Sequence, residues 1–384
     1  MIITKLFREF FESEKAGGFT LIACTLLSLF LANSIWSENY LHIWHYQLGN
    51  HSIEHWINDG LMTIFFLLIG LELEREIYAG ELSNIKNALL PISGALGGML
   101  FPAGLFLLLN FGTETQSGAG IPMATDIAFA LGILSLLGSK VPTSLKIFLS
   151  ALAVIDDLGA ILIIAIFYTA NLNWINLIIA LCILGGLFVL NKMKVQNLFP
   201  YLIGGVFMWY FMLNSGVHAT ITGVLLAFTI PYSKENEKSP SIILQHFLHK
   251  PVAYFILPIF ALANTAIIIN SDWQFALYQN YTLGIALGLI IGKPIGIALF
   301  SYLAVKLKIC SLPDDINWKA IIGVGFLGGI GFTMSIFITL LAFSDADHID
   351  NSKIMILISS LIAGILGLLF LKAVLKKNIN ESNS

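Results

Sequence analysis

Two adjacent aspartates, Asp156 and Asp157, lie inside LSALAVIDDLGAILIIAIFYTA, residues 149–170, a stretch otherwise apolar enough to be a membrane span. One charge at a bilayer centre costs about 3 kcal/mol on insertion scales. Two neighbouring carboxylates cost more, because they also repel each other. Carboxylates kept in such a place point to a site for something positive, a proton or a metal cation. Their oxygens are hard ligands of the kind a small hard cation prefers. Two further ionisable groups share the depth: Asp126 in GAGIPMATDIAFALGIL and Lys293 in LIIGKPIGIAL. Consecutive residues on a helix point about 100° apart. Asp156 and Asp157 therefore cannot both face Lys293. One aspartate pairs with the lysine and the other faces a water-filled cavity, and spacing does not decide which. A purely structural network of these four charges is the weaker reading, since buried ion pairs rarely stabilise more than apolar packing does.

The elements that must position these groups follow from composition. Hydrophobic residues make up 57% of 384 residues and charged residues 11%, with mean hydropathy +0.85. A water-soluble fold of this length could not cover that much apolar surface. The chain reads as an all-α polytopic membrane protein, a single transmembrane domain over residues 1–384. A net charge of -3 suggests no nucleic-acid partner. Cys24, Cys182 and Cys310 form no metal-type or disulfide framework. No cofactor and no enzymatic constellation is indicated. The first hydrophobic run reads as a retained helix and not as a cleaved leader.

Twelve candidate spans centre near residues 24, 66, 100, 128, 159, 181, 206, 223, 257, 290, 330 and 363. The basic residues test the count, because they should gather on the cytoplasmic side. Lys5, Arg8 and Lys15 precede the first span, and none occurs between Asn33 and Asn58. Arg75 and Lys86, Lys140 and Lys146, Lys192 and Lys194, then Lys234, Lys238 and Lys250 fall in every second connection. Lys306, Lys308 and Lys319 continue the pattern, and Lys372, Lys376 and Lys377 close it. Only Lys293, within a span, and Lys353, at the edge of one, depart from it. The pattern implies an even number of spans with both termini cytoplasmic, and a cytoplasmic tail over about 372–384.

Spans 4 and 11 look broken. Span 4 carries Pro122, Thr125 and Asp126 at mid-depth, and span 11, GVGFLGGIGFTMSIFITL, carries five glycines and Thr333. Glycine weakens a helix interior by about 1 kcal/mol each. Such interruptions suggest discontinuous helices around a site, with spans 3–5 and 10–12 as matching triplets of opposite orientation. Broken helices present unsatisfied N–H groups at one end and carbonyls at the other. Asp126 suits the positive ends and Lys293 the negative ones. The external connection, about 34–57, alternates bulky and polar residues around Gly49-Asn50, which predicts a small β-hairpin. Its His42, His45, His51 and His55 read as a solvated surface.

The stretches NDGLMTIFFLLIGLELERE, GIPMATDIAFALG, ALAVIDDLGAI, SGVHATITG, GKPIG and GFLGGIGFTMSIFI, taken in order over about residues 58–340, resemble the NhaA family of bacterial sodium/proton antiporters. The resemblance implies twelve helices in inverted-topology repeats, an established feature of that family. It also implies crossed broken helices 4 and 11 and exchange of Na⁺ or Li⁺ for H⁺ across the inner membrane, in pH and sodium homeostasis. Asp156 and Asp157 match the family's paired cation and proton aspartates. Asp126 and Lys293 match its charge-compensating residues, with Thr125 and Thr333 beside the breaks. Whether Lys293 carries a transported proton or only stabilises the fold stays open. The resemblance further implies activation at alkaline pH and a homodimer through the hairpin. The pH-response region corresponds to Glu72, Arg75, Glu76, His246 and His249. Glu74 stands where a basic residue is expected and Gln245 where an acidic one is, so the local charge balance is altered.

A sodium-coupled solute symporter of the same architecture is the nearest alternative. It needs a pocket for an organic substrate, and the broken spans carry no cluster of aromatic or amide residues for one. An intramembrane aspartyl protease needs its two aspartates on separate helices, which adjacent residues cannot supply.

Overall fold

The structure is a computed structural model that describes residues 2–169, 172–234, 239–269 and 273–382. Ala170, Lys238 and residues 383–384 of the expected tail lie outside the described residues. Among the described residues the regular structure is helical apart from one two-stranded sheet. Among the described residues, eight helices are long and apolar enough to cross a membrane, and ten if each of two bent pairs counts as one span. They fall at the expected centres. Phe199–Leu213 and Ile221–Ala227, near the remaining expected centres 206 and 223, are 15 and 7 residues long. At 1.5 Å rise per residue, 15 residues reach about 22 Å, short of a hydrocarbon core of about 30 Å. Turns around Ser215, Gly216 and Thr220 separate the two helices.

The chain packs as two compact units. The first comprises residues 1–19, 84–160 and 267–384. Its closest helix crossing joins Ile85–Asn110 to Lys293–Lys306, where Gly97 and Gly296 face each other. A Cβ on either glycine would overlap the other's carbonyl. Helix Ala346–Ser382, which continues through the stretch expected as a tail, packs its Gly323-facing Leu371 and its own Gly367 against helix Trp318–Gly328.

Both expected breaks lie in this unit. The first half of span 4, Glu114–Met123, is a 3₁₀ helix, residues 124–126 are extended, and Ile127–Ser135 is an α-helix. Gly118, Gly120 and Pro122 disfavour the α form in that first half. Span 11 divides into Trp318–Gly328 and Phe332–Ala342, bent by 50°. A third irregularity was not expected. Gly288–Gly292 is a π-helical turn leading directly into Lys293–Lys306. Pro294 has no N–H to offer the carbonyl four residues back, which disrupts the regular ladder there.

The second unit comprises residues 20–83 and 161–266. Helix Met62–Tyr78 runs against the short Ile221–Ala227, with Gly70 under Ala227 and Gly223 under the Thr63 to Leu67 backbone. The hairpin is smaller than the alternating pattern implied. Only Gln47–Leu48 and His51–Ser52 pair, antiparallel, across Gly49 at φ +73° and Asn50. The preceding Ser37–His45 is helical. Its Tyr40 and Trp44, four residues apart, pack edge to face at 5.7 Å, a contact a helix permits and a strand does not. Many large apolar side chains are exposed, among them Phe30, Leu108, Ile175, Phe207 and Leu369. Such a surface requires lipid around it.

Candidate ion-binding site

Within the first unit, the two breaks meet and supply each other's missing hydrogen bonds. The Asp126 backbone N–H donates to the Ile330 carbonyl at 2.6 Å. The Ser335 hydroxyl returns a bond to the Ile121 carbonyl at 2.7 Å. The Asp126 carboxylate caps Ile127–Ser135 by accepting from the Phe129 N–H at 3.0 Å. It also accepts from the Thr333 N–H at 3.2 Å and the Thr333 hydroxyl at 2.5 Å, at the start of Phe332–Ala342. One carboxylate thus faces the N-terminal ends of both second halves, where anions are favoured.

Helix Thr143–Phe167 brings both Asp156 and Asp157 into the buried interior of the unit, each 1% exposed. Asp156 is the partner of Lys293. Its Oδ2 forms an ion pair with the ammonium, and both side chains are fully enclosed. Asp157 lies about 100° further round the same helix. Thr125 ties the pair to the crossing. Its Oγ1 accepts from the Lys293 Nζ at 2.9 Å and lies 2.7 Å from Asp156 Oδ2 and 2.8 Å from the Gly328 carbonyl. A hydroxyl has one proton to give, so Thr125 donates to Asp156 or to Gly328, one at a time.

Lys293 was expected beside the carbonyl ends of the broken helices. Its direct partners are Asp156 and Thr125, and the Gly328 carbonyl, at the C-terminus of Trp318–Gly328, is reached through the threonine hydroxyl. The carbonyl ends are satisfied mainly by hydroxyl and amide donors. Thr125, Asp156 and Lys293 form one bonded cluster and Asp126 and Thr333 a second, the two being adjacent through the 125–126 peptide.

The remaining residues singled out from the sequence belong to the second unit. Glu72 is buried, with its carboxylate 3.7 Å from His249 Nε2. Arg75 pairs with Glu76 at 3.0 Å. Glu74 is also buried and accepts from the Ser241 hydroxyl at 2.7 Å. His246 is on the exposed face of Pro240–Pro251. His218 bonds the Tyr168 carbonyl at 2.9 Å.

Sequence reasoning missed four polar residues. Ser335 and Ser360 fasten the span 11 break, the latter by accepting from the Phe332 N–H at 3.1 Å. Asn58 and Asn264 form a reciprocal amide pair in the second unit. The available signal was the same for all: a polar side chain inside an otherwise apolar span, where an unsatisfied group is costly.

Comparison with known proteins identifies the family. Residues 8–371 match a family model described as Na+/H+ antiporter 1. The chain is 71% identical to Na(+)/H(+) antiporter NhaA of Flavobacterium psychrophilum over 384 residues, covering 100% of each. It is 65% identical to NhaA 1 of Flavobacterium johnsoniae over 380 residues, 99% of this chain and 100% of the relative. Identity to NhaA of Dechloromonas aromatica is 59% over 96% of each. A match this long and relatives this similar place the chain in the Na+/H+ antiporter 1 family.

Proposed function

We propose that this protein exchanges Na⁺ or Li⁺ for H⁺ across the bacterial inner membrane, in pH and sodium homeostasis, with cation and protons competing for Asp156 and Asp157. The observation that carries the reading is the enclosed Lys293–Asp156 ion pair, with Asp157 beside it, where two broken spans cross. With all three groups ionised, the site holds one excess negative charge. A buried site tolerates little net charge. One Na⁺ or one proton neutralises the excess equally well, so each can replace the other. A cation bound at Asp156 must displace the Lys293 ammonium, and a protonated carboxylate is no longer a good cation ligand. That mutual exclusion is the essence of antiport.

Thr125 and the carbonyls around the break are neutral oxygen donors that would complete a cation's shell. The paired breaks fit alternating access by inverted repeats of a twelve-span protein with both termini cytoplasmic. Glu72, Arg75, Glu76, His246 and His249 tune the response to pH, and the hairpin joins two copies. A sodium-coupled symporter draws no support from the relatives above, which are antiporters by name.

The test uses purified protein in sealed vesicles, with a Na⁺ pulse and a dye reporting internal pH. Added Na⁺ should drive proton movement in the parent and none in Asp157→Asn, while the variant remains folded by size-exclusion chromatography. Exchange near the parental rate in that variant would overturn the assignment.

A further inference from the structure

The first unit carries an open cleft of about 750 Å³ that the exchange reaction does not use. One wall is a single helix face running through Ile291, Ile295, Ala298 and Tyr302, and the other is Trp318, Ile322 and Phe326. Residues 290–302 at 1.5 Å rise span about 18 Å, slightly more than one leaflet of a hydrocarbon core about 30 Å thick. The lining is apolar along its length and changes character only at one end. There Tyr302 and Trp318 meet edge to face at 5.4 Å, and the Lys306 Nζ stands 6.0 Å from the Tyr302 ring centre. Lys319 follows Trp318 directly, and both lysines are exposed.

We infer that this cleft binds an anionic phospholipid, one acyl chain lying along the apolar walls and the phosphate held by Lys306 and Lys319. Three features select this occupant. The apolar length matches a chain lying within one leaflet. The Tyr–Trp pair is of the type that gathers at headgroup level. The positive charge sits only at that end, and the basic-residue pattern assigns Lys306, Lys308 and Lys319 to the cytoplasmic face, where anionic headgroups attract lysine. Asp314 and Asp315 lie in the same connection, but Asp315 is engaged by the Ser144 hydroxyl. The cleft wall at Ile290, Ile291 and Pro294 belongs to the π turn and first helical turn that bracket Lys293. A bound chain would fill the space behind that irregular segment and hold its packing.

The test measures quenching of Trp318 by dibrominated phosphatidylglycerol and by phosphatidylcholine with the same brominated chains, in mixed micelles with the delipidated full-length protein. Trp318→Phe supplies the background from the other tryptophans. Phosphatidylglycerol should reach half-quenching at a mole fraction lower by about fivefold per engaged lysine, the factor equivalent to the ~1 kcal/mol a basic residue gains near anionic lipid. Lys306→Gln with Lys319→Gln should abolish that preference while chain quenching persists. Ala298→Phe, which fills the cleft, should reduce quenching by both lipids. Equal quenching by the two headgroups in the parent overturns the proposal without recourse to any cleft variant. So does a preference that survives loss of both lysines.

Discussion

The Asp126 carboxylate accepts both the hydroxyl and the amide of Thr333, at 2.5 and 3.2 Å, a bond pair that spans 207 residues of sequence. It closes the crossing of the two broken spans at their N-terminal ends. Losing one N-cap costs about 1 kcal/mol, and removing a charge from a helix N-terminus adds a comparable amount. Asp126→Ala should therefore destabilise the protein by about 2 kcal/mol or more, and Thr333→Val by about 1 kcal/mol. Because the residues share a bond, the double variant should lose less than the two single losses combined. Strict additivity in thermal unfolding would show that the two act separately.

Lys293 and Asp156 enclose each other completely. Removing one partner of a buried pair typically costs about 3–5 kcal/mol, since it strands the other charge. Lys293→Ala should lower the melting temperature in detergent and impair exchange. Adding Asp156→Asn should recover much of the stability without recovering transport. A melting temperature unchanged by Lys293→Ala would mean that the ammonium is solvated and the pair is not the site's structural anchor.

Much of this arrangement is legible in the chain. Spans are visible because apolar runs of the right length are rare outside membranes, and the breaks because glycine and proline concentrate in them. What pairs with Lys293 is not legible. Asp156 and Asp157 differ by 100° of helix rotation, and the phase of Thr143–Phe167 is set by packing that no local pattern encodes. The hairpin failed in extent because bulky-polar alternation over Leu41 to His45 also fits a helix, and the Tyr40–Trp44 contact decides between them. The short helices Phe199–Leu213 and Ile221–Ala227 follow from turns at Ser215 and Gly216 that hydropathy averages away. The π turn before Lys293 was within reach, since Pro294 announces a missing donor.

The hairpin supplies a narrower test of assembly than its sequence suggested. Gln47 and Leu48 are exposed, and only Gln47–Leu48 and His51–Ser52 are paired. A short exposed hairpin of this kind can pair with a second copy about a two-fold axis. Replacing residues 47–52 by two glycines should give monomers in light scattering that still exchange ions in vesicles. A variant that stays dimeric would assign the contact to another surface.

The pH dependence separates competition at the aspartates from sensing near Glu72. A carboxylate must release its proton before a cation can bind, so activity should rise from near zero in mild acid to a plateau in mild alkali. More Na⁺ favours the deprotonated, cation-bound state, which moves the activity midpoint to lower pH. The slope also counts protons: a tenfold rise in Na⁺ should lower the midpoint by about one pH unit if one proton is displaced, and by about half a unit if two are. A dedicated sensor behaves differently. Its midpoint should hold at saturating Na⁺ and shift in His249→Ala, which removes the imidazole 3.7 Å from the Glu72 carboxylate, or in Glu72→Gln. Competition should be the larger effect here. Gln245 puts a neutral amide where the resemblance implies a carboxylate, and the Glu74 carboxylate, where a basic residue is implied, is engaged by the Ser241 hydroxyl, so the charge set around Glu72 is altered. Midpoints measured across a series of Na⁺ concentrations in the parent and in His249→Ala decide the matter. A parent midpoint indifferent to Na⁺ but displaced by the histidine variant would place control at Glu72 and His249.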